Sequence, residues 1–291
     1  MTQKASRPCF ALHLDRGFTP YTALEEVQYE AFVFAGGEPH IKLEATQLPG
    51  AHVHITQRAT SFNDLGLLAV ACDALRRAGA ASLELTLPYF PGARQDRVMV
   101  PGEPLTAKVY ATFINQLSLK QVTVFDPHSD VVPAQLDTPR VISNVGFAKR
   151  VLGGLPAETF LVSPDAGALK KVYAVAAALG EHRVIDGSKH RDVRTGALSG
   201  FSVSETDLNG RPCLILDDIC DGGGTFVGLA EALRNANAGD LYLAVSHGIF
   251  SRGLDELGQV FTKVYCTDAF STPPVHAQLE VVPLDELLPD S

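Results

Sequence analysis

Asp217-Asp218-Ile219-Cys220-Asp221-Gly222-Gly223-Gly224-Thr225 packs three carboxylates, three glycines and a hydroxyl into nine residues. The apolar run Leu214-Ile215-Leu216 leads into it as a strand ending at the first two carboxylates, and Phe226 to Leu233 continues as a helix. Glycines let backbone N–H groups converge on an anion, and a helix N-terminus adds partial positive charge there. The neighbouring carboxylates can hold Mg²⁺ or accept hydrogen bonds from sugar hydroxyls. This chemistry suits a ribose carrying a 5′-phosphate, and it is more than a plain strand–turn–helix loop requires. No Gly-Lys-Ser/Thr follows, so the segment is not a Walker loop.

Four further segments carry chemistry. Pro88 to Arg97 follows a buried strand and holds Arg94, Gln95, Asp96 and Arg97. The arginines suit bidentate neutralisation of a polyphosphate and Gln95 suits reading a base or sugar edge, against the plainer reading of a solvated loop with ion pairs. Asp126-Pro127-His128-Ser129-Asp130 sets an imidazole between two acids. His128 is there a metal ligand oriented by a neighbouring carboxylate, or an inert loop histidine. Asp165, in Ser163-Pro164-Asp165-Ala166-Gly167, is a ligand or simply a helix N-cap. Lys189-His190-Arg191, with Arg194 close by, falls in the stretch Asp186 to Gly200, which reads as irregular. It is either a mobile lid closing cations over phosphates or a solvated charge run.

The elements that must position these segments alternate. Val53–Thr56, Ser82–Leu87 and Val122–Phe125 read as strands, separated by helices over Asn63–Ala78 and Thr106–Leu117. The pattern restarts with strand Thr159–Val162, helix Ala166–Leu179 and strand Arg183–Ile185, and continues through Cys213–Leu216, Leu241–Val245 and Val264–Cys266. This is the signature of βαβ units and parallel sheets, in two α/β halves covering residues 1–145 and 146–291. Antiparallel strands are expected around Tyr29–Phe34 and Ile41–Glu44. In such sheets ligands bind beyond the carboxyl ends of strands, and four loaded ends imply one shared site.

Composition narrows the function. Hydrophobic residues make up 46% and charged residues 20% of 291, ordinary for a globular chain, and the net charge of −9 argues against a nucleic-acid surface. No apolar run approaches the ~20 residues of a membrane span, and the polar start leads into no signal-peptide core. Five scattered cysteines with no Cys-x-x-Cys argue against a disulfide scaffold or structural zinc and for a cytoplasmic protein. Cys220, inside the glycine-rich segment, has no histidine near it in sequence to make it a nucleophile.

Together these segments resemble the ribose-phosphate pyrophosphokinase (phosphoribosyl pyrophosphate synthetase) family from about Val53 to Asp268. Pro88–Arg97 looks like the family's ATP-binding segment, with Arg94, Gln95 and Asp96. His128 and Asp165 look like its Mg²⁺-ATP ligands, Lys189 and Arg191 like its catalytic loop cations. Asp217, Asp218 and Asp221 to Thr225, with Gly222, Gly223 and Gly224, match its ribose-phosphate loop. Ser246–Ser251 and Thr267-Asp268 resemble its C-terminal segments. The resemblance implies an α/β fold of two phosphoribosyltransferase-like (type I) domains with central parallel sheets. It implies a homo-oligomer, a hexamer or a dimer, whose ATP site a neighbouring subunit completes through Phe34 and Glu38.

Four departures stand out. Gly36 replaces a usual aspartate, Val131–Leu136 differs from the family's histidine loop, a first helix is hard to find in Asp15–Tyr29, and Gly222 replaces a usual threonine. The last removes a hydroxyl donor and opens space beside the 5′-phosphate.

The implied reaction is attack by the anomeric hydroxyl of ribose 5-phosphate on the β-phosphorus of ATP, giving phosphoribosyl pyrophosphate and AMP with Mg²⁺ as cofactor. Three alternatives stay open: the same transfer to ADP-ribose through the space at Gly222, a phosphoribosyltransferase, and a non-catalytic regulatory paralogue.

Overall fold

The computed structural model describes residues 8–180, 183–191 and 198–288, with backbone alone for 189–191, 198 and 199. It divides into two compact units. One runs to Ile142 and takes in Ala269–Thr272; the other comprises Ser143–Asp268 and Pro273–Leu287.

The first unit contains β1 (Cys9–His13), β2 (Glu25–Glu26), the hairpin β3 (Tyr29–Val33) and β4 (Pro39–Leu43), and β5 (His52–Thr56). It continues with α1 (Phe62–Arg77), β6 (Ser82–Thr86), α2 (Thr106–Gln116), β7 (Gln121–Phe125), α3 (Val131–Gln135) and β8 (Pro139–Ile142). Its six-stranded sheet has the order β2-β1-β5-β6-β7-β8, and every pairing in it is parallel. Val53 and Ile55 of β5 and Leu83 and Leu85 of β6 are buried in one core with Leu65, Leu68 and Leu75 of α1. Helix α1 begins where Ser61 and Asp64 form a reciprocal capping box, and Gly79 at φ +89° follows its last turn. No helix forms between β1 and β2, so the missing first helix of the sequence reading is absent from the fold as well.

The second unit contains α4 (Val145–Leu152), β9 (Phe160–Ser163), α5 (Leu169–Ala178), β10 (Val184–Arg191), β11 (Leu198–Val203) and β12 (Cys213–Cys220). Then come α6 (Gly224–Asn235), β13 (Leu241–Gly248), α7 (Asp255–Val260), β14 (Lys263–Thr267) and β15 (Leu279–Val282). The sheet order is β11-β10-β9-β12-β13-β14-β15, parallel except for β11 against β10. All eight residues of β13 are buried, as expected of a central parallel strand covered on both faces.

Two expectations need correction. Strand β12 does not stop at Leu216; pairing with β13 continues through Asp217↔Val245 to Cys220↔Gly248, which puts Asp217 and Asp218 inside the strand. Nor is Asp186–Gly200 irregular throughout. Asp186–Arg191 and Leu198–Gly200 belong to an antiparallel hairpin in which Ser188 Oγ and Ser202 Oγ are 2.8 Å apart. Its apolar signal is weak because this edge hairpin buries only part of one face, where Phe201 and Val203 lie against the core. Arg194 lies outside the described residues.

Candidate active site

In the second unit, the carboxyl end of β12 turns through Asp221 and Gly222 into α6. Gly223, at φ +78°, is the N-cap of α6 and makes no side-chain cap. The left-handed backbone there favours glycine, and a β-carbon would also stand 3.3 Å from Leu257 Cδ2. With no capping side chain, and with Phe226 N already donating to Gly223 O at 2.9 Å, the amides of Gly224 and Thr225 are the first-turn donors left for a ligand, an arrangement that attracts anions. The loop is braced from the next strand: Ile249 N donates to Cys220 O at 2.8 Å, and Ser251 N to Asp221 O at 3.1 Å. Ser251 Oγ also donates to Asp221 Oδ1 at 2.6 Å. The role of the Ser246–Ser251 segment is therefore partly to support the loop.

Gly222 does not open empty space. A β-carbon there would stand 3.3 Å from Arg252 Nε and 3.4 Å from its Cδ, so the arginine side chain lies where a threonine would project. A cation takes the place of a hydroxyl beside the loop. Cys220 is buried, and burial pushes its thiol up to about 12, which removes it as a nucleophile.

Asp217 is pushed well above the ordinary carboxylate range, first by burial and then by the charges of Asp218 and Asp165. The second unit thus brings Asp165, Asp217 and Asp218 into electrostatic contact at the ends of adjacent strands β9 and β12. Asp165 is not the N-cap of α5, which is Ala168. Its Oδ1 instead accepts from Gly167 N at 2.9 Å and Ala168 N at 3.1 Å, fixing the turn before the helix. Crowded hard oxygen donors whose mutual repulsion a dication would relieve fit Mg²⁺. Lys171 Nζ is 3.8 Å from Asp218 Oδ2, a contact the sequence reading missed. A Lys-Lys pair in the first turn of a helix, against the macrodipole, was the available signal.

In the first unit, Arg94, Gln95, Asp96, Arg97 and His128 line one cavity of 510 Å³. Asp96 is buried, with Oδ2 accepting from Ser129 Oγ at 2.7 Å and Oδ1 from Arg97 Nε at 3.1 Å. Burial alone would raise its carboxyl. The hydrogen bonds from Ser129 and Arg97, with the charges of Arg97 and His128, outweigh this and hold it below the ordinary range. Asp96 thereby ties the arginine loop to the histidine loop. The latter leaves β7 through Asp126, whose φ of +38° makes the sharp bend toward His128.

Phe34 and Glu38 do not line that cavity. They sit at the β3–β4 turn, where Phe32, Val33 and Phe34 are all about half exposed (47%, 55% and 52%). A β-carbon on Gly36 would stand 2.5 Å from Glu38 Oε2, so the Glu38 carboxylate occupies the room an aspartate at 36 would need. Lys189 and Arg191 lie on β10, and their side chains are outside the described residues.

A family model for the N-terminal domain of ribose phosphate pyrophosphokinase matches residues 16–117, and one for the phosphoribosyl transferase domain matches residues 148–271. A putative ribose-phosphate pyrophosphokinase 2 of Streptococcus pyogenes is 31% identical over 249 residues, 82% of this chain and 74% of that one. The ribose-phosphate pyrophosphokinase of Vibrio parahaemolyticus is 32% identical over 252 residues, covering 82% and 77%. The crystal structure of phosphoribosylpyrophosphate synthetase from Mycobacterium smegmatis shares the fold, with a TM-score of 0.82 at 24% identity over 97% of this chain and 96% of that one.

Proposed function

The chain belongs to the ribose-phosphate pyrophosphokinase family, and from that premise we propose that it transfers the β,γ-diphosphate of ATP to the anomeric hydroxyl of ribose 5-phosphate, releasing AMP. The observation that carries this reading is the first unit's 510 Å³ cavity with its two arginines, glutamine and histidine. A phosphoribosyltransferase, which consumes an already activated sugar, has no need of it.

In this reading Arg94 and Arg97 neutralise the ATP phosphates, Gln95 meets the nucleoside, and Asp96 keeps the loops aligned. Asp217 and Asp218 accept hydrogen bonds from the ribose hydroxyls, and the amides of Asp221 to Thr225 hold the 5′-phosphate with Arg252 beside them. Lys189 and Arg191 stabilise charge gathering on the β-phosphoryl oxygens. His128 of the first unit and Asp165 of the second are the residues that would hold Mg²⁺, which would supply charge neutralisation of phosphate oxygens. Positioning and electrostatics carry most of such a transfer, in keeping with a site that has no activated nucleophile of its own. Arg252 beside Gly222 puts a cation where the ADP-ribose alternative assumed empty space, so the substitution by itself no longer argues for that acceptor.

The exposed aromatic hairpin, apart from the cavity lining, supports assigning Phe34 and Glu38 to the ATP site of a neighbouring subunit in a homo-oligomer. Among the described residues no helix is long and apolar enough to cross a membrane, and all five cysteines are free thiols. Both agree with a reducing cytoplasm as the working compartment.

The test is incubation with ATP, Mg²⁺ and either ribose 5-phosphate or ADP-ribose, with products weighed by mass spectrometry. AMP and phosphoribosyl pyrophosphate appearing together support the reading. Transfer to ADP-ribose alone overturns the acceptor, and no AMP with either overturns the chemistry.

A further inference from the structure

The first unit's sheet carries a second cluster of chemically capable side chains, on strands β1, β5 and β6. In register, Cys9 pairs with His52, which pairs with Ser82; two residues on, His54 pairs with Glu84. Side chains two apart on a strand share a face, so Cys9, His52, His54 and Glu84 stand together on the sheet face opposite Val53 and Ile55. One ligand atom from each of Cys9, His52 and His54 lies within 4.8 Å of the others. Glu84 spans the histidines, with Oε1 3.4 Å from His52 Nε2 and Oε2 3.6 Å from His54 Nδ1.

We propose that Cys9, His52 and His54, with Glu84 as fourth ligand, form a tetrahedral site for a borderline-soft divalent cation of the Zn²⁺ class. The donor set is one sulfur, two imidazole nitrogens and one carboxylate oxygen. Tetrahedral zinc takes such ligands, at roughly 2.3 Å to sulfur and 2.0–2.2 Å to nitrogen and oxygen. Mg²⁺, which demands oxygen ligands, does not suit it. The Cys9, His52 and His54 ligand atoms are close enough for side-chain rotation to complete the contraction, and Glu84 already reaches both histidines. A thiolate and a carboxylate together balance the dication's charge.

A second contact supports the assignment. His52 Nδ1 shares a hydrogen bond with Ser82 Oγ, which orients the ring and directs Nε2 toward Glu84. Bound imidazoles are held by their other nitrogen in just this manner. Burial, ahead of the opposing charge of Glu84, lowers the pKa of His54 and so favours the neutral ring that binds metal. Burial and Glu84 raise the Cys9 thiol, so cation binding there displaces a proton. Lys120 Nζ, 2.7 Å from Glu84 Oε1, would give up part of that carboxylate to the metal. The site would tie the first strand of the chain to the two that follow it in the sheet.

The test uses the full chain, stripped of metal and titrated with Co²⁺. One equivalent per chain is expected to give tetrahedral visible bands and a thiolate-to-cobalt charge-transfer band in the near ultraviolet, both displaced by Zn²⁺. Cys9 is the assignable thiolate, since Cys72, Cys213, Cys220 and Cys266 are buried. Cys9→Ser should abolish the charge-transfer band. His54→Ala should weaken cobalt binding by about 10²-fold, a ligand loss being at least as costly as loss of its supporting shell. His128→Ala should leave the band in place, separating this site from any metal bound with ATP. A wild-type titration with no charge-transfer band, or a band that persists in Cys9→Ser, overturns the proposal even if one variant folds poorly.

Discussion

Asp96 and Asp217 are both acids at the edge of a binding segment, yet the protein treats their charge in opposite ways. Asp96 has two donors of its own chain on its oxygens, and its carboxyl is held below the usual range. Asp217 is set beside Asp218 and Asp165 and is raised well above it. The first is satisfied by the fold and acts as a strut. The second is in an arrangement that protein alone leaves costly, and that a cation or sugar hydroxyls would relieve. Strain kept at one carboxylate and removed from another separates what binds from what supports.

The sharpest way to break this contrast is Asp217→Asn. Because folding raises the Asp217 pKa, the stability this group contributes is present below its unfolded value and is lost as pH rises through the folded one. Above its unfolded pKa, and so at neutral pH, the group therefore costs stability in the ligand-free protein. Asp217→Asn should raise the ligand-free melting temperature at pH 7, by about 2–4 °C for each kcal/mol relieved, while lowering turnover roughly 10²–10³-fold. Calorimetry and an AMP-release assay check both. A variant that melts lower would mean that Asp217 is satisfied within the fold, and the contrast would fail.

Gly223→Val comes next, because this part of the site is built from backbone. A β-branched residue at φ +78° costs on the order of 1–3 kcal/mol, and its side chain would press on Leu257. The KM for ribose 5-phosphate should rise about 10–10²-fold, with the KM for ATP changed little. Equal loss for both substrates in steady-state kinetics would point to general unfolding of the loop.

Asp96→Asn should act in the reverse sense to Asp217→Asn. Its depressed folded pKa contributes stability above the unfolded value, lost as pH falls through the folded one. The variant should melt lower at pH 7, with the difference shrinking below about pH 4. The KM for ATP should rise several-fold as the Ser129 contact weakens. Rescue is not expected from Ser129→Ala, which removes the other partner of the same bond.

Much of this was legible in the sequence because apolar period and chemical punctuation coincide. The strands expected at Ser82–Leu87 and Val264–Cys266 form at Ser82–Thr86 and Lys263–Thr267, because apolar residues recur there at strand spacing between turn residues. The turn from Asp221 through Gly223 into α6 read clearly because consecutive glycines break the chain between a strand and a helix. What failed to read follows from exposure or from pairing. Strand β12 runs on through Asp217 and Asp218 because backbone pairing with β13 carries two acids that no propensity would place there. Strand β8, three of whose four residues are exposed, has no apolar face to announce it. Arg252 beside Gly222 is a contact between residues 30 apart, visible only once the fold brings them together. The Cys9, His52 and His54 cluster is set by strand register, and three scattered residues carry no spacing signature.

The smallest expected effect sharpens the comparison most finely, because it asks whether a side chain matters where the backbone already binds. Gly222→Thr restores a hydroxyl, but its β-carbon stands 3.3 Å from Arg252 Nε, so the arginine must shift. Arg252 is exposed and can give way at little cost. The KM for ribose 5-phosphate should therefore change by no more than about threefold, a new neutral hydrogen bond of about 1 kcal/mol offsetting part of a displaced charge. Arg252→Ala should cost more, and it should flatten the dependence of that KM on salt, since a guanidinium near a phosphate is screened and a hydroxyl is not. In the double variant the threonine should recover part of the loss, because no arginine remains to be displaced. If Gly222→Thr alone abolished binding, the loop's shape, and not the identity of the group beside it, would be what the glycine protects.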